Sequence, residues 1–311
     1  MKRFFITIDT EGDNLWDWRE GMDIHTENAR FLPRFQTLCE EYGLKPTYLS
    51  NFEMISDPFF RDFAGNKQAQ GLCEVGMHLH AWNSPPVGDP LLAGNDPGAA
   101  YLIEYPENRM EEKIAFLTER IELCFGQKPI SHRAGRWATN ETYFRLLDKY
   151  GYRTDCSVTP GMDWSGHSGR TQGSQGSDYR GAPHSPYRIP GTSIQEYPVS
   201  VYFDHRVYLP DPPTPKNMAR ALVHAKRGNT LWLRPNGRNL QECLGVLRHN
   251  QAPGEPDYVM FMLHSSELMP GGSLTFRTEA QIEHLYRELA AIFGKARSLG
   301  YTGATFREAE I

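Results

Sequence analysis

The sequence predicts an α/β fold of parallel strand–helix units that close, or nearly close, into a barrel. Three observations carry that expectation. First, a helical stretch three times ends in glycine and passes straight into a strand-like run: Tyr42-Gly43-Leu44 before 46–49, Tyr150-Gly151-Tyr152 before 153–158, and Leu299-Gly300-Tyr301 before 302–306. Glycine after a helix supplies the left-handed residue that turns the chain back toward a sheet. Helix, glycine and strand in repetition argue for a parallel βα architecture. Second, the helical stretches carry apolar stripes at spacings of three and four: Met110, Ile114, Leu117, Ile121 and Cys124 in one, and Ile282, Leu285, Leu289, Ile292, Ala296 and Leu299 in the last. Such stripes face a core. Third, candidate strands at 4–9, 47–51, 75–80, 130–133, 153–158, 194–203, 230–234 and 258–264 suffice for a barrel whose site lies at the C-terminal strand ends.

The first strand, Phe4-Phe5-Ile6-Thr7-Ile8-Asp9, is followed by Thr10-Glu11-Gly12-Asp13, so that Asp9 and Glu11 share a face at its C-terminal end. Two carboxylates at the mouth of a strand cost stability unless they are paired or bind a cation; Asp13 is a reserve carboxylate. The strand Glu74-Val75-Gly76-Met77-His78-Leu79-His80-Ala81-Trp82 alternates apolar residues with Gly76, His78 and His80. Both imidazoles therefore leave one face, as good ligands for Zn²⁺ or a similar divalent ion. His-x-His alone reads equally as a solvated strand end. Together with Asp-x-Glu it favours a hydrolytic metal site of Glu11, His78 and His80.

Further along, Ser131-His132-Arg133-Ala134-Gly135-Arg136-Trp137 ends a short strand with two guanidinium groups and an indole. Arg133 can orient a carboxylate, and Trp137 can form an apolar or sugar-stacking wall. Asp155 sits inside the strand Thr154-Asp155-Cys156-Ser157, where a carboxylate needs a partner. The apolar strand Val259-Met260-Phe261-Met262-Leu263 ends in His264. A hydrogen bond from that imidazole to Asp155 would fix its tautomer and make it a usable acid. The long tracts 81–105 and 160–192 follow strand ends and are expected to cover substrate, with Trp82, Arg136, Trp137 and Trp164 as binding residues; disorder is the other reading of the second tract.

With 311 residues, one large barrel or two ordinary domains are possible, and a single domain over 1–311 is the expectation. A net charge of −5 with scattered Lys and Arg excludes a nucleic-acid surface. The chain opens on a strand without an apolar leader, and no run of about 18 apolar residues exists, so no membrane span is expected. Cys39, Cys73, Cys124, Cys156 and Cys243 lack CxxC spacing and read as reduced thiols of a cytoplasmic protein.

The order of these motifs resembles the polysaccharide deacetylases, the NodB-homology carbohydrate esterases. The likeness is to a divergent branch with His-Leu-His-x-Trp and His-Ser-Ser-Glu-Leu signatures, associated with bacterial surface-polysaccharide and lipopolysaccharide gene clusters. It runs from Ile6 to about Phe306. The resemblance implies a distorted (β/α)7 barrel, a catalytic base at Asp9, metal ligands at Glu11, His78 and His80, an arginine holding the base at Arg133, an aspartate tuning the catalytic histidine at Asp155, and that histidine at His264. The implied cofactor is a divalent metal ion, Zn²⁺ by expectation, and the implied partner is a carbohydrate.

Three positions depart from the common family form. Asp9-Thr10-Glu11 replaces Asp-Asp, and Trp82 stands where His-x-x-x-His places its second histidine, so His80 takes that role or the site has two protein ligands plus water. Ala134-Gly135 stands where a proline is usual. The leading function is metal-dependent removal of an acyl group, N-acetyl by preference, from a sugar or a polysaccharide or lipopolysaccharide precursor. The competing readings are a metal-independent amide or ureide hydrolase on the same barrel and a catalytically silent glycan-binding domain.

Overall fold

Side-chain alternation along the strands sorts the chain into two apolar layers in the computed structural model, which describes residues 2–15, 18, 22–87, 101–210 and 212–309. The strands are β1 (Arg3–Thr10), β2 (Pro46–Ser50), β3 (Glu74–Leu79), β4 (Ser131–Ala134), β5 (Thr154–Asp155), β6 (Tyr187–Arg188), β7 (Gln195–Glu196), β8 (Val201–Asp204), β9 (Asn229–Trp232), β10 (Tyr258–His264) and β11 (Thr302–Gly303). The curled main sheet has the order β10-β1-β2-β3-β4-β5-β7-β6, with β11 also on β1. All of its pairings are parallel except β6 with β7.

Phe4, Ile6, Ile8, Val75, Met77, Leu79, Val259, Phe261 and Leu263 face outward and pack under the helices, including Glu107–Phe125 and Glu279–Ser298. Residues of the other parity, Phe5, Leu49, Cys156, Tyr258 and Met260, fill the interior together with Val199 and Val201. The period of two thus sends Asp9, Glu11, His78, His80, Arg133 and His264 to the inner face. The helix ends before β2, β5 and β11 use Gly43, Gly151 and Gly300 at φ of +67°, +84° and +82°, a backbone region that side chains disfavour.

The barrel is distorted on one side. The single strand expected over 194–203 is broken: β7 joins the main sheet, while β8 leaves it and pairs antiparallel with β9. Pro198, which lies between them, has no N–H to continue a ladder. The β8–β9 pair sits against β10, where Met260 N–H donates to Ser200 Oγ at 2.9 Å and Met262 N–H to Leu233 O at 3.2 Å. The expected strand over 153–158 shortens to the ladder of β5. The tract 160–192 is built rather than disordered, with β-bridges between Asp163 and Asp178 and between Ser168 and Gln175.

One half-buried carboxyl ties the C-terminal ends of β1, β2 and β3 together. Glu53 accepts from Gly12 N–H at 3.1 Å, Asn51 Nδ2 at 2.5 Å and Asn83 Nδ2 at 2.9 Å. Burial pushes its carboxyl up to about 7, against the pull of the bonds to Gly12 and Asn51. A raised carboxyl stabilises the fold fully below its unfolded value of about 4.5, and that contribution is lost as pH rises through 7. Glu53→Gln should therefore flatten the fall in melting temperature between about pH 4.5 and 7. The span corresponds to at most roughly 3 kcal/mol. The amide is accommodated because, among the described residues, Asn51 Oδ1 and Asn83 Oδ1 are buried without partners, and rotation of either side chain lets its oxygen accept. Thermal melts of both proteins across that range check it; parallel pH curves would contradict it.

Candidate active site

Register places the polar strand ends in one layer. Asp9 is level with His264 across β1 and β10, and His78 with Arg133 across β3 and β4. Arg133 is fully buried: Nη1 donates to Asp9 Oδ1 at 2.6 Å, Nη2 to Thr7 Oγ1 at 2.9 Å, and Nε to Cys156 O at 3.0 Å. Burial opposes ionisation of Asp9, but Arg133 foremost, with His78 and His264, holds its carboxyl far below the usual range. The backbone of Glu11 is locked from another quarter: Asn28 Nδ2 and Ser265 Oγ both donate to Glu11 O, at 2.7 and 3.0 Å. Asp13, the reserve carboxylate, instead accepts from Asn28 N–H at 3.2 Å and holds the turn that follows.

Glu11, His78 and His80 converge. His78 Nε2 and His80 Nε2 are 3.0 Å apart, and Glu11 Oε2 lies 3.6 and 3.2 Å from them. Their donor atoms make the cluster able to hold a metal ion among the described residues. The donor set fits such an ion. Nitrogen ligands near 2.0–2.1 Å from one zinc sit about 3 Å apart. His78 Nδ1–H donates to Arg133 O at 2.9 Å, which leaves the Nε2 lone pair facing Glu11. Burial, followed by the neighbouring His78, pushes His80 down to about 3, so its imidazole is neutral. Burial lowers His78 as well, but Asp9 and Glu11 raise it further, so the pocket favours a positive charge where the two carboxylates meet.

Gly135, at the position where a proline was noted as usual, lies against this cluster. A Cβ there would stand 2.6 Å from Leu79 O and 2.7 Å from the His80 ring. The next two residues, Arg136 and Trp137, are both left-handed, at φ of 56° and 61°. Such strain costs of order 1–3 kcal/mol per residue, and here it sits at the mouth of the site.

His264 is held differently from expectation. Its Nδ1 lies 3.1 Å from Glu267 Oε2, and its N–H donates to the same oxygen at 2.9 Å. Arg234 Nη2 donates to both oxygens of Glu267 at 3.1 Å and also approaches His264 Nδ1 at 3.0 Å. Burial is overcome by Arg234 and by the bonds from His264, and Glu267 is held at about 2. Nδ1 thus lies between the ionised Glu267, which can accept from it, and Arg234, which can only donate, while Nε2 faces Asp9 and Glu11 at 3.8 and 3.9 Å.

Asp155 does not reach His264. Its Oδ2 accepts from His132 Nδ1–H at 2.5 Å and from Ser157 Oγ at 3.0 Å, while His132 Nε2 accepts from Tyr143 O–H at 2.8 Å. The reason is parity. Arg133 points inward, so His132 points out toward the helix Glu141–Lys149, and Asp155 is the ladder partner of His132. Asp155's neighbour Glu196 is pushed well above the usual range, first by burial and then by Asp155, and is neutral there.

A cavity of about 440 Å³ opens over these groups, walled by Trp82, Trp137, Trp164, Trp232, Tyr101 and Arg136. Trp137 and Trp164 are parallel, with ring centres 6.5 Å apart, and Trp232 packs against both. Trp82 lies on His80, 4.2 Å between centres, so one of its faces is already used. Both long tracts reach the cavity and bond to each other, Tyr101 O–H to His167 O at 2.9 Å and Thr171 N–H to Glu104 at 2.7 Å. Residues 88–100 of the first tract lie outside the described residues. Arg234, Glu267, Trp232, Tyr101 and His167 were not singled out from sequence. Only Glu267 had a readable signal, three residues after His264 and within reach of a turn at the strand end.

No family model matches the chain, and no curated protein matches it in sequence. Solved structures match it in fold. A 4-alpha-glucanotransferase from Thermococcus litoralis is 12% identical, with 99% of this chain and 40% of that one covered, at a TM-score of 0.54. A GH57 branching enzyme from Thermococcus kodakaraensis is 11% identical, with 99% and 71% covered, at 0.51. A family 4 carbohydrate esterase from Streptomyces lividans, in complex with acetate, is 12% identical, with 98% and 92% covered, at 0.43. These are likenesses of architecture: the chain folds as a distorted (β/α) barrel, which it shares with the first two.

Proposed function

We propose that this chain is a metal-dependent hydrolase that removes an acyl group, N-acetyl by preference, from a sugar of a polysaccharide or lipopolysaccharide precursor in the cytoplasm. One observation carries the reading. Buried Glu11 faces two imidazole nitrogens beside an arginine-held Asp9 and a carboxylate-held His264, all beneath an aromatic cavity. The free cysteines suit a reducing compartment.

Glu11, His78 and His80 would hold the ion, with Zn²⁺ favoured by two nitrogens and one oxygen. When bound, it supplies a Lewis acid that polarises the acyl carbonyl and acidifies water. Asp9 stays ionised through the physiological range and accepts the proton of the attacking water, with Arg133 fixing the carboxylate's direction. His264, its Nδ1–H committed to Glu267, presents Nε2 toward the same space and delivers a proton to the leaving amine. Arg136 and the indoles of Trp82, Trp137 and Trp164 form the walls against which a sugar ring packs. A silent glycan-binding domain would have no need of both Asp9 and His264 in these poised positions.

The metal-independent hydrolase has one observation in its favour. At 3.0 Å, His80 Nε2–H can itself donate to His78 Nε2 with no ion between the rings, which leaves the buried His80 Nδ1 without a partner among the described residues. Metal content and turnover separate the two. Glu11→Ala and His78→Ala should lose bound metal and activity together. His264→Ala should keep metal and lose roughly 10²–10⁴-fold in turnover on an N-acetylated sugar, and Asp9→Asn at least as much. Full activity after exhaustive chelation would favour the metal-free reading, and near-native turnover of Asp9→Asn would remove it as the base.

The two carboxylates, Glu267 and Asp155, should part company as well. Glu267→Gln should lower kcat about tenfold or more with metal content unchanged, because His264 loses its orienting charge. Asp155→Asn should lower unfolding stability by about 1–3 kcal/mol while kcat of the folded protein stays within a few-fold. The opposite pattern in denaturation and steady-state kinetics would return the tuning role to Asp155.

A further inference from the structure

The segment that leaves the catalytic cavity after β9 runs on into two open grooves. Trp232 and Arg234 line the cavity, while Asn236 and Arg238 line both grooves. Arg238 stands four positions after Arg234, at most about 14 Å along the chain.

The first groove, about 470 Å³, runs between this segment and the helix Pro215–Arg227. Asn217, Arg220, Ala221 and His224 face it at helical spacings of three and four. The second, about 630 Å³, is lined by Arg238, His284 and Arg287 around Phe276. The helix carries no acidic residue, in a chain whose net charge is −5. Among the described residues, neither Arg220 nor Arg238 is in an ion pair.

Among the described residues, Asp204, Glu242 and Glu288 stand near this charge, the last accepting from Gly237 N–H at 3.0 Å with His284 Nε2 3.7 Å away. Asp204 is taken up by Tyr208 O–H at 2.6 Å, His249 at 2.9 Å and Asn229 Nδ2 at 3.0 Å. Glu242 lines the first groove, and burial and then Asp204 raise its carboxyl. Guanidinium forks beside amide side chains are the chemistry that holds carboxylates and phosphates.

We infer that these grooves form a distal subsite for an anionic group, carboxylate or phosphate, on the glycan whose acyl group occupies the catalytic cavity. The substrate is then an acidic glycan. The link to deacylation rests on the proposed hydrolase; anion binding by the grooves does not.

Calorimetry on the full chain and on Glu11→Ala tests it with three probes: a heparosan tetrasaccharide of glucuronic acid and N-acetylglucosamine, N-acetylglucosamine 1-phosphate, and neutral tetra-N-acetylchitotetraose. At least one acidic probe should bind roughly tenfold or more tightly than the neutral one, in a salt-sensitive way. Which one does so tells carboxylate from phosphate. Arg220→Ala and Arg238→Ala, checked for native circular dichroism, should each reduce that advantage, and the double variant should abolish it. Equal binding of all three probes, or an advantage that survives the double substitution, overturns the subsite. If Glu11→Ala keeps the preference while the wild-type chain hydrolyses none of the probes, the subsite stands and the hydrolase reading falls.

Discussion

A buried ion pair governs the interior of this barrel. The Arg133 guanidinium, which keeps its charge in any protein environment, lies fully buried among Thr7, Cys156 O, Met260 and Asp9. An unpaired charge there would cost several kcal/mol. Asp9 neutralises it at 2.6 Å, and the Trp137 ring covers it with its centre 5.0 Å away. The pairing uses up the inner layer's arginine on Asp9. Glu11, only 5% exposed, faces the imidazoles of His78, His80 and His264. That imbalance is what supports the proposed cation site at the strand ends.

The same layer explains how much was legible beforehand. Parity alone put Asp9 with Glu11 and His78 with His80 on shared faces, because β1 and β3 are long, regular and flanked by apolar residues of the other parity. Parity also held the correction for Asp155. Arg133 inward means His132 outward, and Asp155 follows His132 through the ladder; what the sequence lacked was the register of a two-residue strand. Gly135 departs from the family pattern for a steric reason that only its closeness to Leu79 O and the His80 ring shows.

Other parts had little sequence signal. The clamp on His264 joins Glu267, from the turn after β10, to Arg234, from an irregular segment after β9, and no periodicity links them. The break at Pro198 turned one expected strand into two in different sheets, and in doing so created the β8–β9 pair that delivers Trp232 and Arg234 to the cavity. The concentration of basic side chains near Arg238 is a three-dimensional fact in a chain whose basic residues are scattered along its length.

The central claim is that the cluster of Glu11, His78 and His80 holds a divalent cation. Crystals of protein purified without chelators, with diffraction collected on either side of the zinc absorption edge, test it most directly. The account predicts an anomalous peak bounded by Glu11 and the two Nε2 atoms. Its absence from crystals soaked in zinc, or a peak only at another cluster such as Asp204 and His249, would contradict it.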